Sequence, residues 1–84
     1  MQGGSTKLST DKSVTTTGSD VTVTGPPNDV VIVIVDGSTN IREVKLDGEG
    51  KAKVTMPTRP STVSLILASD YTKSTNVSVI DALR

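Results

Sequence analysis

The feature that most constrains this chain is an unbroken run of β-branched residues, VVIVIV from Val30 to Val35, set between PPND and DG. β-Branched side chains favour strands. A strand with one face in water normally alternates apolar and polar residues, and this run does not. The sequence therefore predicts a central strand with one face in a core and a second apolar face that needs its own cover.

The composition sets narrow limits on the core and on the chemistry. The chain has 84 residues, enough for one domain with a thin core, and it contains no Phe, no Trp and one Tyr. It has no Cys and no His, which excludes disulfides and thiolate ligands and removes the commonest general base. The formal net charge is zero, and basic stripes with stacking aromatics are missing, so we expect no nucleic-acid binding. The expectation is a protein that is not an enzyme and needs no cofactor.

The ends and the apolar runs bear on localisation. The longest apolar run is the six residues of VVIVIV, too short to cross a bilayer, and MQGGSTKLSTDKS has no hydrophobic signal region. We expect no membrane association. The ending at Ala82-Leu83-Arg84 favours a complete small protein over a domain cut from a longer secreted chain.

Short Val-, Ile- and Thr-rich runs separated by Gly, Pro, Asn and Asp predict about seven strands and no helix. We expect a flexible arm over residues 1–10 and a sandwich over residues 11–84, with a polar loop over residues 69–75. The predicted strands are a broken first strand (7–9 and 13–16), then 20–24, 30–35, 41–46, 51–56, 61–68 and 76–80. Residues expected to face inward are Val21, Val23, Val31, Val33, Val35, Val44, Leu46, Ala52, Val54, Met56, Val63, Leu65, Leu67, Val77 and Val79.

The succession VTVTG, VVIVIVDG, DGEGKAKVTMP, TVSLIL and NVSVI resembles the immunoglobulin-like domains of bacterial and phage proteins, which include fibronectin-III-like forms. The resemblance covers roughly residues 13–80, and the chain departs from the common pattern in having no Trp. It implies an all-β, immunoglobulin-like antiparallel β-sandwich of about seven strands. Such domains recur in tandem in bacterial surface adhesins, and they occur singly or as appended domains on phage virion proteins.

The strand order of that fold puts the third, sixth and seventh strands side by side. With the inward set above, Ile32, Ile34, Ile66 and Ile80 share one outer sheet face, because successive residues of a strand point to opposite sides. We predict that these four isoleucines bind a protein subunit or mediate self-association. Two alternatives stay open. One is that isoleucine is present only for its strand propensity, or that the N-terminal segment folds over the face. The other is that the parity of the central strand is reversed.

The turn Asp47-Gly48-Glu49-Gly50 supplies two carboxylates, and adhesin domains of this general type often bind Ca²⁺ through loop carboxylates. Asp47 and Glu49 are therefore weak calcium candidates, to which Asp36 and Asp70 would add if their loops meet at one end. The spacing lacks a full ligand set, and a simple hairpin turn explains the same residues.

Three other features are weighed against plainer explanations. Lys45, Lys51 and Lys53 are exposed strand positions that suit an acidic partner, or that protect a sheet edge from pairing. Arg42 breaks the alternation of its strand and belongs at a bulge or at the sheet rim. Asn76-Val77-Ser78 matches a glycosylation acceptor pattern but falls within a predicted strand.

The functional expectation is a phage virion accessory protein of the capsid or tail, located in the virion, that docks through the apolar sheet face or the arm Met1–Thr10. A strand-like arm can add to a neighbour's sheet edge. One alternative is a single repeat of a bacterial surface adhesin, acting as a spacer or as a glycan- or protein-binding unit. A third class is an inhibitory binder of one host protein.

Overall fold

The computed structural model describes residues 8–37 and 41–81. These residues form eight strands and no helix, and so they contain no helical segment suited to crossing a membrane. The strands are β1 (Ser9–Thr10), β2 (Val14–Thr16), β3 (Asp20–Thr24), β4 (Val30–Val35), β5 (Ile41–Lys45), β6 (Lys51–Thr55), β7 (Ser61–Leu67) and β8 (Asp70–Ile80).

The strands build two sheets that pack face to face. A three-stranded sheet has the order β1-β3-β6, and a five-stranded sheet has the order β2-β8-β7-β4-β5. The predicted all-β sandwich is confirmed, and so is the neighbourhood of the central strand, since β4 pairs antiparallel with β7 and β7 with β8.

The core between the sheets is aliphatic. Val21 and Val23 of the smaller sheet are completely buried, as are Val31, Val63 and Leu65 of the larger one. Alternation of burial along these strands confirms the predicted inward set, in which Val35, Val44 and Ala52 are only partly buried at the margin. The remaining core residues are Leu8, Val33, Leu46, Val54, Met56, Leu67, Val77 and Val79.

The broken first strand divides between the two sheets. β1 runs antiparallel to β3, whereas β2 runs parallel to β8. At the crossing, the Asp11 amide donates to the Thr22 carbonyl at 3.0 Å, and the Thr22 amide donates to Asp11 Oδ1 at 3.0 Å. Of the predicted arm, residues 1–7 lie outside the described residues, while Leu8 is buried and Ser9–Thr10 form β1.

Of the polar segment expected as a loop over residues 69–75, Ser69 lies in a turn but residues 70–75 belong to β8, so the prediction is wrong for residues 70–75. β7 and β8 form a hairpin in which the pairing shifts between Ile66, opposite Ser74, and Leu67, opposite Asp70. Residues 71–73 are the irregularity. β2 pairs with β8 only from Ser78 onward, so the first half of β8 has a free outer edge. A polar edge strand of this kind resembles a loop in sequence.

Candidate functional site

The two sides of β4 have different environments. Val31 is 0% and Val33 is 1% exposed in the core. Ile32 and Ile34 lie on the opposite side and are half-buried. The predicted parity is therefore confirmed, and the reversed parity is excluded.

Pairing with the neighbouring strands brings four isoleucines together on the outer face of the five-stranded sheet. Ile32 lies directly opposite Ile66 of β7, and Ile34 lies directly opposite Ile41 of β5. Directly paired residues have Cβ atoms about 5 Å apart, and Ile32 and Ile34 are next neighbours on one side of β4. We call Ile32, Ile34, Ile41 and Ile66 the isoleucine cluster.

Ile41 is the member that the sequence prediction missed. Its side chain is 63% exposed, the largest exposed fraction among the four. The signal was present, since Val44 was placed inward, and a residue three positions earlier must then point outward. The outlying Arg42 obscured this alternation.

Ile80 also points outward, at 48% exposure, but the structure places it away from the cluster. It pairs with Thr16 of β2, whereas Ile66 lies opposite Ser74 of β8. Six residues of strand separate Ser74 from Ile80, which is about 20 Å. Val14, which is 55% exposed, pairs with Ser78 and lies diagonally from Ile80 on the same outward side of the sheet.

The rest of this outer face is polar, neutral on β7 and β8 and charged on β5. Around the cluster, β7 and the Ser74–Ile80 part of β8 present hydroxyl and amide groups, namely Thr62, Ser64, Ser74, Asn76 and Ser78. The charged outward residues of the described strands of this sheet lie on β5, where Glu43 and Lys45 follow Ile41. Glu43 lies directly opposite Ile32, so a partner that covers the cluster must leave this carboxylate in water or pair it with a positive charge.

Arg42 occupies the rim of the sandwich. It lies opposite Val33, on the inward side of an edge strand, where the core ends. Its Nη2 donates to the Thr55 carbonyl of β6 at 3.1 Å and so joins the edges of the two sheets. A surface groove beside it is lined by Met56, Pro57, Arg59 and Pro60 among others.

The calcium candidates serve the turn in which they lie. Asp47 Oδ1 accepts hydrogen bonds from the amides of Glu49 at 2.8 Å and Lys51 at 3.0 Å. The Lys51 amide, followed by that of Glu49, holds the pKa of Asp47 below its usual value.

The other carboxylates do not complete a calcium site at this turn. Asn28, just before β4, donates to the Asp47 carbonyl, whereas Asp36 follows the far end of β4. Within residues 8–37 and 41–81, no three carboxylates come close enough to hold a metal ion together.

The remaining sequence candidates take ordinary strand positions. Lys51 and Lys53 are exposed on β6, an edge of the three-stranded sheet, and Lys45 is exposed on β5. Asn76 is exposed within β8, where it pairs with Ser64 of β7.

Comparison of the chain with protein-family models, with curated proteins and with solved structures finds no match. Arguments about function consequently depend on the geometry of the outer faces and edges, together with the sequence motifs quoted above.

Proposed function

We propose that this protein is a non-enzymatic assembly module that docks on another protein subunit through the isoleucine cluster. The observation that carries the proposal is the cluster itself, four contiguous isoleucines on the outer sheet face, bordered by Glu43 on the β5 side. Exposed apolar patches of this kind mark interaction sites on soluble proteins.

Docking of the cluster would remove apolar surface from water. A patch of a few hundred Å² is near the largest that soluble monomers usually expose. Burying it at about 25 cal/mol per Å² releases several kcal/mol, from which the cost of association is subtracted. The hydroxyl and amide groups around the cluster would form the hydrogen-bonding rim of the interface.

The subunit we propose belongs to a phage particle, with this protein as an accessory of the capsid or tail. This part of the proposal is supported by the resemblance of VTVTG, VVIVIVDG and DGEGKAKVTMP to phage immunoglobulin-like domains. A rigid sandwich presenting one apolar face suits such a role, because its opposite, charged face stays in solvent.

A second candidate, a repeat of a bacterial surface adhesin, is favoured by one observation. Ser9 pairs with Thr24 at the end of the sandwich that carries the Gly25 and Gly50 turns. Ile80 lies at the other end, where its carbonyl accepts from the Thr17 amide. Chain entry and exit at opposite ends allow copies to be joined in series. Tandem copies of the VTVTG and DGEG pattern beside this chain would favour this candidate.

The first experiment compares a face variant with a matched control. Ile34→Lys with Ile66→Lys places two charges in the cluster. Thr22→Glu with Thr24→Glu places two charges on the outer face of the three-stranded sheet, opposite Lys53 and Lys51, where they create no like-charge pair. We expect both variants to remain folded by circular dichroism, because all four positions point outward. Unfolding of the isoleucine variant alone would assign these residues to the core and end the proposal.

The second experiment captures the partner and uses the absence of cysteine from the chain. A photoactivatable cross-linker is attached at Ile34→Cys, at Ile66→Cys or at the control Thr22→Cys. The labelled protein is then incubated with virions or with a lysate of phage-infected cells. We expect one capsid or tail subunit to be captured from positions 34 and 66 and not from 22. Equal capture from all three positions, or none, would contradict docking by this face.

A further inference from the structure

The edge of the five-stranded sheet at β5 offers a row of free backbone groups. The Leu46 amide donates to the Asp29 carbonyl at 2.7 Å, which fixes the hydrogen-bonding phase of β5 against β4. In an antiparallel pair, alternate residues bond to the partner strand and the others point away from it. The amides and carbonyls of Ile41, Glu43 and Lys45 therefore point away from β4.

Contacts on the other side of β4 agree with this phase. The Ala68 amide donates to the Val30 carbonyl at 2.9 Å, so Val30 bonds toward β7 and not toward its register partner Lys45. Among the described residues, β5 is the last strand of its sheet and has no neighbour on this side.

We propose that β5 pairs antiparallel with β5 of a second copy of this chain, about a two-fold axis between the two Val44 residues. The pairing would join two five-stranded sheets into one of ten strands. Such strand addition is a common recognition mode, and a two-fold axis makes the contact self-complementary.

Charge determines this register. With the axis perpendicular to the sheet, outward residues of one copy face outward residues of the other. A centre at Val44 sets Glu43 opposite Lys45 of the second copy, and symmetry repeats the pair. Opposite charges directly across strands stabilise a sheet and like charges destabilise it. Centres at Arg42, Glu43 or Lys45 would each set a charged residue opposite its own copy, like charge against like charge, whereas the centre at Val44 sets two neutral residues opposite each other.

The residues concerned are free to make these contacts. Glu43 and Lys45 are exposed, and within the described part of the chain neither makes an ion pair, the ion pair found being Lys73 with Asp70. Val44 is only half-buried at the core margin, and its counterpart in the second copy would cover it.

The edge strand β6 of the other sheet shows the contrasting arrangement. It presents Lys51 and Lys53 on one side with no outward acid on the same strand. Every antiparallel self-pairing that overlaps these two lysines sets lysine near lysine, and edge lysines of this kind prevent pairing. The mixed charges of β5 do not have that effect in the register centred on Val44.

The pairing does not depend on the isoleucine cluster as a docking face. Because the axis is perpendicular to the sheet, both clusters would lie on the same side of the ten-stranded sheet, with the two Ile41 residues near the junction. A dimer would therefore present a doubled apolar surface to a partner.

The test uses charge reversal and complementation, with association measured by sedimentation equilibrium over a concentration series. Glu43→Lys alone and Lys45→Glu alone each convert both attractive pairs into repulsive ones. We expect a wild-type dimer, and dimerisation weakened about tenfold or more in each single variant. Glu43→Lys with Lys45→Glu in one chain restores both pairs and should restore the dimer, and an equimolar mixture of the two single variants should form a heterodimer.

The outcomes separate this edge from the outer face. A wild type that stays monomeric at millimolar concentration, or single variants that dimerise like wild type, would overturn the pairing. So would a dimer abolished by Ile34→Lys with Ile66→Lys and unaffected by the charge reversals, since that dimer would use the isoleucine cluster. Circular dichroism of each variant confirms that loss of association is not loss of fold.

Discussion

The outer faces of the two sheets use the same alternation but expose different chemistry. Facing solvent, the three-stranded sheet carries Thr22 and Thr24 on β3 and Lys51 and Lys53 on β6. In the equivalent positions of the five-stranded sheet stand the members of the isoleucine cluster. Threonine is also β-branched and satisfies strand propensity. Strand propensity alone therefore does not account for isoleucine on the larger face.

The polar outer face of the three-stranded sheet also forms side-chain contacts of its own. Thr55 Oγ1 donates to Asp20 Oδ1 at 2.9 Å across β3 and β6, and Lys53 and Lys51 flank Thr22 and Thr24. Isoleucine side chains cannot form such hydrogen bonds with one another. The members of the cluster are only partly buried, so contact with a partner would remove more of their apolar surface from water. The outer face of the three-stranded sheet is therefore suited to solvent, and that of the five-stranded sheet is suited to a partner.

The largest loss of stability is expected at Gly50, in the turn that connects the two sheets. Gly50 has φ +79° in the turn that leads from β5 to β6, and a Cβ there would overlap the Gly25 carbonyl oxygen. The same contact carries a hydrogen bond from the Gly25 amide to the Gly50 carbonyl at 2.8 Å. We expect Gly50→Ala to cost about 3 kcal/mol or more of unfolding free energy, measured in urea.

Gly48 is the matched control in the same turn. A Cβ at Gly48 would meet no atom within 4 Å. Gly48→Ala should change stability by about 0.5 kcal/mol or less. Comparable losses in both variants would show that this turn tolerates no side chain at all and that the Gly25 contact is not the cause.

The next effect compares the two faces within one strand. Leu65 is 0% exposed in the core, and its neighbour Ile66 is half-buried in the isoleucine cluster. Leu65→Ala should cost about 3 kcal/mol in urea unfolding, since it removes apolar contacts and leaves a cavity. Ile66→Ala should cost less, about 1 kcal/mol in the free protein, because part of that side chain is already in water.

A cost for Ile66→Ala equal to that of Leu65→Ala would mean that the cluster is as important to the fold as the core. Binding sharpens the comparison. In the presence of a docked partner the loss for Ile66→Ala should grow, while the loss for Leu65→Ala should stay the same.

Much of this arrangement follows from the sequence. The period of two along residues 30–35, 61–68 and 76–80 predicts which side chains share the core, because each strand has enough Val and Leu on one side to decide the parity. The outward placement of Ile32, Ile34 and Ile66 follows directly. Their adjacency follows only when the strand order is supplied, and the resemblance to immunoglobulin-like domains supplied it.

The failures come from register and from edges, which alternation does not encode. Ile80 has the predicted parity but lies about six residues along β8 from the cluster, a distance that depends on the hairpin register of β7 and β8. Arg42 took an inward position because it lies at the rim, where it bonds across to Thr55. The first half of β8 lacks an alternation of apolar and polar residues, so its sequence resembles that of a loop.

The smallest expected effect is a loss of stability at low pH, which should differ between the two sheets. Three carboxyl groups with a lowered pKa adjoin the five-stranded sheet, Asp29 before β4, Asp47 after β5 and Asp70 at the start of β8. The Ser69 hydroxyl, at 2.6 Å, and then the Val30 amide lower the pKa of Asp29. Hydrogen bonds from Thr72 lower the pKa of Asp70, and turn amides lower that of Asp47.

A carboxyl whose pKa is lower in the folded state stabilises the fold at pH values above its ordinary pKa, and this stabilisation is lost as the pH falls through the folded pKa. We therefore expect the urea midpoint to be flat near neutrality and to fall below about pH 4. Asp47→Asn keeps an acceptor for the Glu49 and Lys51 amides but cannot titrate, so its acid decline should be shallower than that of the wild type. Hydrogen exchange of the Lys51 and Thr72 amides, corrected for intrinsic rates, should lose protection in acid before that of the buried residue Val21 in the three-stranded sheet. Equal acid slopes for wild type and Asp47→Asn would show that the turn carboxylate contributes nothing to the pH dependence.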